Sequence, residues 1–196
     1  MDPTALALAR LRRFARPMNP ELPAVDVALA DVRRLFHGAD VSFKLVGGVA
    51  VVHHGYSRTT EDVDLLVDGA ALSRLWEALA SYGFERVSRS RLRHLSTGVR
   101  VDLLVAGSPM PREGSGTYPA PDSLMASGRD ADVVGLPGLF ELKLRSRRHR
   151  DEADVVELLK RLDEARYTEV EAAIPPGLRA RLASLRRDAL EELVHE

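Results

Sequence analysis

The clearest pattern of apolar and polar positions runs through residues 43–67, FKLVGGVAVVHHGYSRTTEDVDLLV. A four-residue apolar run predicts a strand, and the glycine pair after it predicts a tight junction before a short apolar helix, VAVVHHG. The segment DVDLLV then predicts a second strand that begins with two aspartates around one valine. The pattern therefore predicts strand, glycine turn, helix and strand, with its polar residues at the junctions.

Helical spacing predicts helices on both sides of this stretch. Two helices precede it, and we expect them to pack in front of a sheet. The helix directly after it ends at Gly83, a residue type that is common where helices stop. The predicted helices cover residues 4–15, 24–36, 70–82, 137–145, 151–162, 168–174 and 178–194.

Two more strands are predicted over residues 84–95 and 99–105, around a turn at residues 96–98. Residues 106–122 are rich in Gly, Pro and Ser and predict a loop or a mobile flap over the sheet. A short apolar piece follows from residue 131. The order of elements predicts the α/β (α+β) class, with a mixed β-sheet flanked by helices and with helical N- and C-terminal segments.

Composition limits the size and the setting of the protein. The 196 residues, 45% of them hydrophobic, suit one domain over 1–196, with a core at about 40–160 and a helical segment at about 151–196. The formal net charge of -1 predicts no strong overall attraction to nucleic acid. Cysteine is absent, which excludes disulfides and thiol chemistry. No apolar run approaches the about 20 residues of a membrane span, and the N-terminal arginines follow the apolar residues, so we expect a cytoplasmic protein.

The polar residues of the central stretch predict a phosphate site beside a metal site. Gly47 and Gly48 lie at a strand-to-helix junction, where free backbone N–H groups and the positive end of a helix dipole suit a phosphate. Asp62 and Asp64 share one face of a strand, and such a pair repels unless a cation or a proton lies between its members. The alternatives are glycines that only permit close packing and aspartates that only face water.

A glycine pair that opens a helix, followed by Asp-x-Asp on the next strand, resembles the nucleotidyltransferase superfamily of polymerase-β type. The segment LVGGVAVVHHGYSRTTEDVDLLV is most similar to minimal bacterial members of this superfamily, including the AbiEii-like toxin nucleotidyltransferases. The resemblance implies a third carboxylate on a later strand, which Asp102 in VRVDLLV matches. It also implies a Leu-Lys-Leu helix before an Arg-Asp pair, which Lys143 and Arg150-Asp151 match. Many members have serine after the first glycine, where this chain has Gly48.

The resemblance implies a Mg²⁺- or Mn²⁺-dependent enzyme that moves a nucleoside monophosphate from a nucleoside triphosphate to an acceptor hydroxyl. Asp62, Asp64 and Asp102 would be both the catalytic residues and the metal ligands. Magnesium prefers oxygen ligands, and two ions can bind the attacking and leaving oxygens of phosphoryl transfer. The expected nucleotide-binding residues are Gly47, Gly48, Arg58 and Lys143.

The AbiEii-like resemblance further implies tRNA or a protein as the acceptor, in a toxin–antitoxin system with a cognate antitoxin as partner. Two alternatives stay open. One is a transferase that modifies a small molecule such as an antibiotic. The other is a non-catalytic module of the same fold that binds a nucleotide or a partner protein.

Arginines cluster in two further places, along the strand predicted at residues 84–95 and in the run 145–150. A solvated face is the simplest interpretation of both clusters. The alternative is contact with a nucleic acid or, in the case of the strand cluster, also with a triphosphate. Asp151 is interpreted as a first-turn acid of its helix. His53 and His54 are assigned no catalytic role.

Overall fold

The computed structural model describes residues 23–111 and 116–195, so the helix predicted at residues 4–15 lies outside the described residues. Seven strands in the described part form one mixed sheet in the order β3-β4-β5-β2-β1-β7-β6. They are β1 (Phe43–Val46), β2 (Asp62–Val67), β3 (Phe84–Ser88), β4 (Arg91–His94), β5 (Arg100–Val105), β6 (Ala126–Ser127) and β7 (Asp130–Val134).

Seven α-helices accompany the sheet in the same residues. They are α1 (Ala24–Gly38), α2 (Gly47–His53), α3 (Leu72–Ala78), α4 (Leu136–Ser146), α5 (His149–Leu159), α6 (Glu164–Ala173) and α7 (Pro176–His195). Short 3-10 turns extend α3 at both ends, and Gly83, with φ 79°, ends that segment as its left-handed cap. The predicted mixed α/β class is confirmed. No helix in the described part of the chain is both long and apolar enough to cross a membrane.

The helix predicted at residues 168–174 begins earlier, at Glu164. The reason is an N-cap: the side chain of Asp163 accepts a hydrogen bond from the backbone N–H of Arg166 at 2.8 Å. An aspartate in this position satisfies a donor that the first helical turn leaves unpaired. The predicted start was therefore wrong by one helical turn.

The strand predicted over residues 84–95 is also wrong in one respect, because it is two strands. The chain turns at Arg89-Ser90, and β3 and β4 pair antiparallel with a register shift between Arg86 and Ser88. The hydroxyl of Ser88 accepts a hydrogen bond from the backbone N–H of Ser90, a local bond typical of turns. The four arginines of this hairpin are exposed, and Arg93 pairs with Glu85 of the neighbouring strand.

Strand β2 lies at the centre of the sheet. It runs antiparallel to β1 and parallel to β5, while β1 runs parallel to β7. Val63 and Leu65 of β2 are fully buried, together with Leu35 and Phe36 of α1. Because alternate residues of a strand face opposite sides, the two aspartates of β2 project from the face opposite Val63.

Candidate active site

The register between β2 and β5 brings the predicted carboxylates together. Asp64 lies directly opposite Asp102, and Asp62 lies opposite Arg100. Parallel neighbours in register project from the same face, so three carboxylates and one guanidinium form a patch on one side of the sheet. We refer to Asp62, Asp64 and Asp102 as the carboxylate trio. Sequence spacing predicts that Asp62 and Asp64 share a face, but only the β2–β5 pairing places Asp102 beside them.

The glycine pair begins α2 directly beside the carboxylate trio. Gly47 follows Val46, which is the register partner of Asp64 on β1. Its φ is 58°, and a Cβ on it would lie 1.9 Å from Oδ2 of Asp64. A Cβ on Gly48 would lie 2.4 Å from the hydroxyl oxygen of Thr60. Glycine is therefore required at position 47 both for its backbone conformation and for the close approach of the α2 backbone to Asp64.

The electrostatics of the trio are unfavourable for three negative charges. Burial, followed by the charges of Asp62 and Asp102, raises the pKa of Asp64 from 3.8 to about 6. A carboxyl in this setting favours a proton or a cation as neighbour. Three carboxylates on one face are a donor set that magnesium accepts, so the chemistry of the residues fits a divalent ion.

Two arginines engage the trio in this structure. Arg91 Nε lies 2.6 Å from Oδ1 of Asp102, and Arg100 Nε lies 3.1 Å from Oδ2 of the same residue. Arg100 also donates a hydrogen bond to Asp62. Within residues 23–111 and 116–195, no three histidine, aspartate or glutamate side chains are grouped as metal ligands. An ion bound by all three carboxylates therefore requires the side chains of the trio to rearrange.

Lys143 and Arg58, the two predicted nucleotide-binding cations, both contact Asp154. The ammonium of Lys143 lies 2.6 Å from Oδ2 of Asp154, and Nε of Arg58 lies 2.8 Å from Oδ1. Lys143 is only 4% exposed. In this conformation both cations neutralise a buried carboxylate, and their predicted role on a triphosphate stays a prediction.

Asp151 does more than the first-turn acid that its position indicated. It lies in the first turn of α5 but is buried, and it accepts hydrogen bonds from Lys143 at 2.9 Å and from Nε of Arg148 at 2.7 Å. Burial opposes its negative charge, but Lys143, Ser146 and Arg148 outweigh that effect and hold the pKa of Asp151 below its usual range. The result is a charge network that joins α4 to α5.

A cavity of about 690 Å³ connects the trio with this network. Its lining includes Asp64 and Asp102 of the trio with the adjacent Gly47, and Lys143, Arg148 and Asp151 of the network. Asp62, Gly48 and Arg58 are not part of the lining. The remaining wall is largely apolar and comes from the end of β1, from β5 and the loop after it, and from α4. It includes Val46, Leu104, Pro109, Met110, Tyr118, Leu139 and Leu142.

Comparison with known proteins bears on the fold. No family model matches the sequence, and no curated protein matches it. The crystal structure of ANT(2")-Ia in complex with adenylyl-2"-tobramycin superposes with a TM-score of 0.50 at 12% identity, over 81% of this chain and 96% of that chain. The solution structure of the antibiotic-resistance factor ANT(2'')-Ia superposes with a TM-score of 0.49 at 15% identity, over 85% of this chain and 95% of that chain. The crystal-structure likeness is one of fold. It agrees with the nucleotidyltransferase fold that the sequence resemblance implies.

Two residues at the site, Arg100 and Asp154, escaped the sequence prediction, whereas Arg91 and Arg148 belong to the two predicted arginine clusters. Two signals for them exist in the sequence. Arg100 and Asp102 are two residues apart on one strand, so their side chains lie on the same face of it. Asp151 and Asp154 are three apart in a helix whose next turns are apolar, which is typical of acids that face a buried cation.

Replacement of Gly47 by alanine tests the close approach of α2 to Asp64. The left-handed backbone alone should lower the free energy of unfolding by about 1–3 kcal/mol. The clash with Asp64 should add to that loss. Gly98→Ala is the matched control, because Gly98 has φ 73° and a Cβ there would meet no atom within 4 Å. Urea unfolding should therefore show a larger loss for Gly47→Ala, and equal losses would contradict the contact.

The raised pKa of Asp64 predicts a pH-dependent stability. Because the folded pKa of about 6 lies above the ordinary 3.8, this carboxyl's contribution is complete below about pH 3.8 and is lost as pH rises through 6. The neutral Asp64→Asn variant should therefore be more stable than wild type at pH 8, by about 3 kcal/mol at most. Most of the difference should vanish by about pH 4. Urea unfolding in the presence of a chelator measures this difference in unfolding free energy at each pH. The control is Asp188→Asn, which replaces an exposed aspartate. A difference that is flat with pH would contradict the shift.

Proposed function

We propose that this protein is a divalent-cation-dependent nucleotidyltransferase that moves a nucleoside monophosphate from a nucleoside triphosphate to an acceptor hydroxyl. The observation that carries the proposal is the β2–β5 register, which aligns Asp62, Asp64 and Asp102 beside the glycine turn of α2. Carboxylates grouped in this way at a cavity are poorly suited to a structural role, because burial and mutual repulsion raise the free energy of the charged forms. The fold shared with ANT(2")-Ia supports the same class.

Each element of the site has a role in this reaction. The trio would hold Mg²⁺ or Mn²⁺, which when bound neutralises phosphate charge and lowers the pKa of a coordinated hydroxyl. The α2 backbone at Gly47 and Gly48 would lie along the triphosphate, and Asp102 would accept the proton of the acceptor hydroxyl. The acceptor oxygen forms a bond to the α-phosphorus while the bond to the β-phosphate oxygen breaks. Pyrophosphate leaves.

Lys143 and Arg148 line the same cavity as Asp64 and Asp102. We propose that they face the triphosphate or the leaving pyrophosphate, with Arg148 making the direct contact. Its side chain is 74% exposed, whereas Lys143 is held by Asp151 and Asp154. Arg58 contributes by holding Asp154 in place, next to the turn at Gly48.

The acceptor belongs to one of two classes. The complex of ANT(2")-Ia with adenylyl-2"-tobramycin supports a small-molecule hydroxyl, such as that of an aminoglycoside. The AbiEii-like resemblance of residues 43–67 supports tRNA or a protein side chain, with a cognate antitoxin as partner. We favour the small molecule, because the shared fold extends over 96% of the ANT(2")-Ia chain.

One labelling experiment tests the activity and separates the acceptors. The full chain is incubated with each α-³²P-labelled triphosphate, Mg²⁺ or Mn²⁺, and in turn an aminoglycoside panel, total RNA or total protein. Thin-layer chromatography and gels then show which acceptor gains label. We expect transfer to one class that disappears in the Asp64→Ala variant. If no acceptor gains label in an Asp64-dependent manner, the proposed activity is wrong.

A non-catalytic nucleotide-binding module is the second candidate. The observation that favours it is the engagement of Asp62 and Asp102 by Arg91 and Arg100, which supply cationic charge without a metal. In that case calorimetry would show nucleotide binding that is indifferent to divalent ions, and the labelling experiment would show no transfer.

A further inference from the structure

Arg100 bridges two members of the carboxylate trio, Asp62 and Asp102. Its guanidinium donates to Asp62 on one side and lies 3.1 Å from Asp102 on the other. The register dictates this placement, because Arg100 is opposite Asp62 and two residues before Asp102 on the same strand face. A planar guanidinium with several N–H donors suits a position between two carboxylates.

Two arginines offset part of the negative charge of the trio. The three carboxylates would carry three negative charges, and Arg100 and Arg91 supply two positive charges in direct contact with Asp62 and Asp102. The other nearby cations, Lys143 and Arg148, are paired with Asp151. Arg100 is the cation that joins two members of the trio.

The exposure of Arg100 allows it to move. Its side chain is 50% exposed, while that of Asp102 is 20% exposed. A long side chain with this exposure can rotate into solvent without unfolding the strand, and an exposed ion pair is weak enough to be exchanged. The carboxylates, in contrast, are held by the central strands of the sheet.

We propose that Arg100 is an internal counterion of the trio that competes with the divalent cation for Asp62 and Asp102. This inference rests on the proposed function, because it takes the trio as the metal site. Arg100 must withdraw before an ion binds both carboxylates, so the metal alone binds weakly. A nucleotide that arrives with the metal offers phosphate oxygens to the released guanidinium, and this couples metal binding to nucleotide binding.

Direct Mn²⁺ binding to the full-length protein, measured by calorimetry or by electron paramagnetic resonance, tests the competition without reference to turnover. Arg100→Gln should bind Mn²⁺ about five- to tenfold more tightly than wild type in the absence of nucleotide. The additional tightening that nucleotide produces should be smaller in this variant than in wild type. Arg93→Gln is the matched control. It removes a similarly exposed arginine, which lies opposite Arg100 on the neighbouring strand and pairs with Glu85.

Each outcome is decisive. Tighter binding by Arg100→Gln alone supports the competition, provided that Asp64→Ala abolishes it. Equal, Asp64-dependent binding by wild type and Arg100→Gln overturns the inference and leaves the proposed function intact. Equal tightening in Arg93→Gln also overturns it, because the effect would then be one of overall charge. If none of the proteins binds Mn²⁺ in an Asp64-dependent manner, the inference and the metal assignment are both wrong.

Discussion

The Asp102→Asn variant is expected to fold like wild type and to transfer the nucleotide about a thousandfold more slowly. The amide keeps the shape of the side chain opposite Asp64 but loses the charge and the basicity. The acceptor oxygen becomes nucleophilic only in the transfer step, so a group that acts on it contributes mainly to the transition state. Turnover should therefore fall much more than nucleotide affinity. Single-turnover rates with the labelled acceptor and nucleotide titration separate the two quantities.

Glu85→Gln is the control for Asp102→Asn. It also removes a carboxylate that pairs with an arginine on the same sheet, since Glu85 pairs with Arg93, but it lies outside the trio. Its transfer rate should stay within about twofold of wild type, as expected for loss of an exposed ion pair. Near-normal transfer by Asp102→Asn would show that Asp102 is an ordinary strand residue. The mechanism with three carboxylates would then be wrong.

The Lys143→Met variant is expected to lose about 3–5 kcal/mol of unfolding free energy, the largest effect on stability that we predict. Lys143 is 4% exposed, and its ammonium lies within 2.9 Å of both Asp151 and Asp154. Methionine fills a similar volume but leaves the two buried carboxylates without this cation. Desolvated charges that lose a partner destabilise far more than exposed ones. Urea unfolding at pH 7 measures the loss.

Arg148→Gln is the matched control, because Arg148 contacts the same Asp151 but its side chain is 74% exposed. It should lose less than about 1 kcal/mol, as exposed ion pairs do. The Arg148→Gln variant should nevertheless bind the triphosphate more weakly than wild type, if Arg148 contacts phosphate as proposed. A Lys143→Met protein that is as stable as wild type but binds nucleotide poorly would reverse these assignments. Lys143 would then be the phosphate ligand that the sequence indicates.

Part of the site could be predicted from the sequence because its residues are close together in the chain, and part could not because its residues are far apart. The two aspartates of β2 and the glycines of α2 are neighbours in sequence, so their local pattern indicates a polar junction. Arg58 and Lys143 are 85 residues apart and meet at Asp154, which no local pattern relates to them. Both are predicted as phosphate ligands from their positive charge and, for Lys143, from the family resemblance of its helix. The burial of Lys143 beside Asp154 depends on how α5 packs against α4, and Arg58 reaches the same carboxylate from the segment before β2.

Elements with a local cause can be predicted from short stretches of the chain. Strand alternation puts Asp62 and Asp64 on one face, the glycine pair permits the turn into α2, and Gly83 ends the segment that contains α3. The parallel pairing of β5 with β2 is a long-range contact, and it sets Asp102 beside Asp64 and Arg100 beside Asp62. A shift of β5 by one residue would turn Arg100 and Asp102 to the apolar face of the sheet. The burial of Val63, Leu65, Val101 and Leu103 across both strands selects the register, and no single segment contains that information.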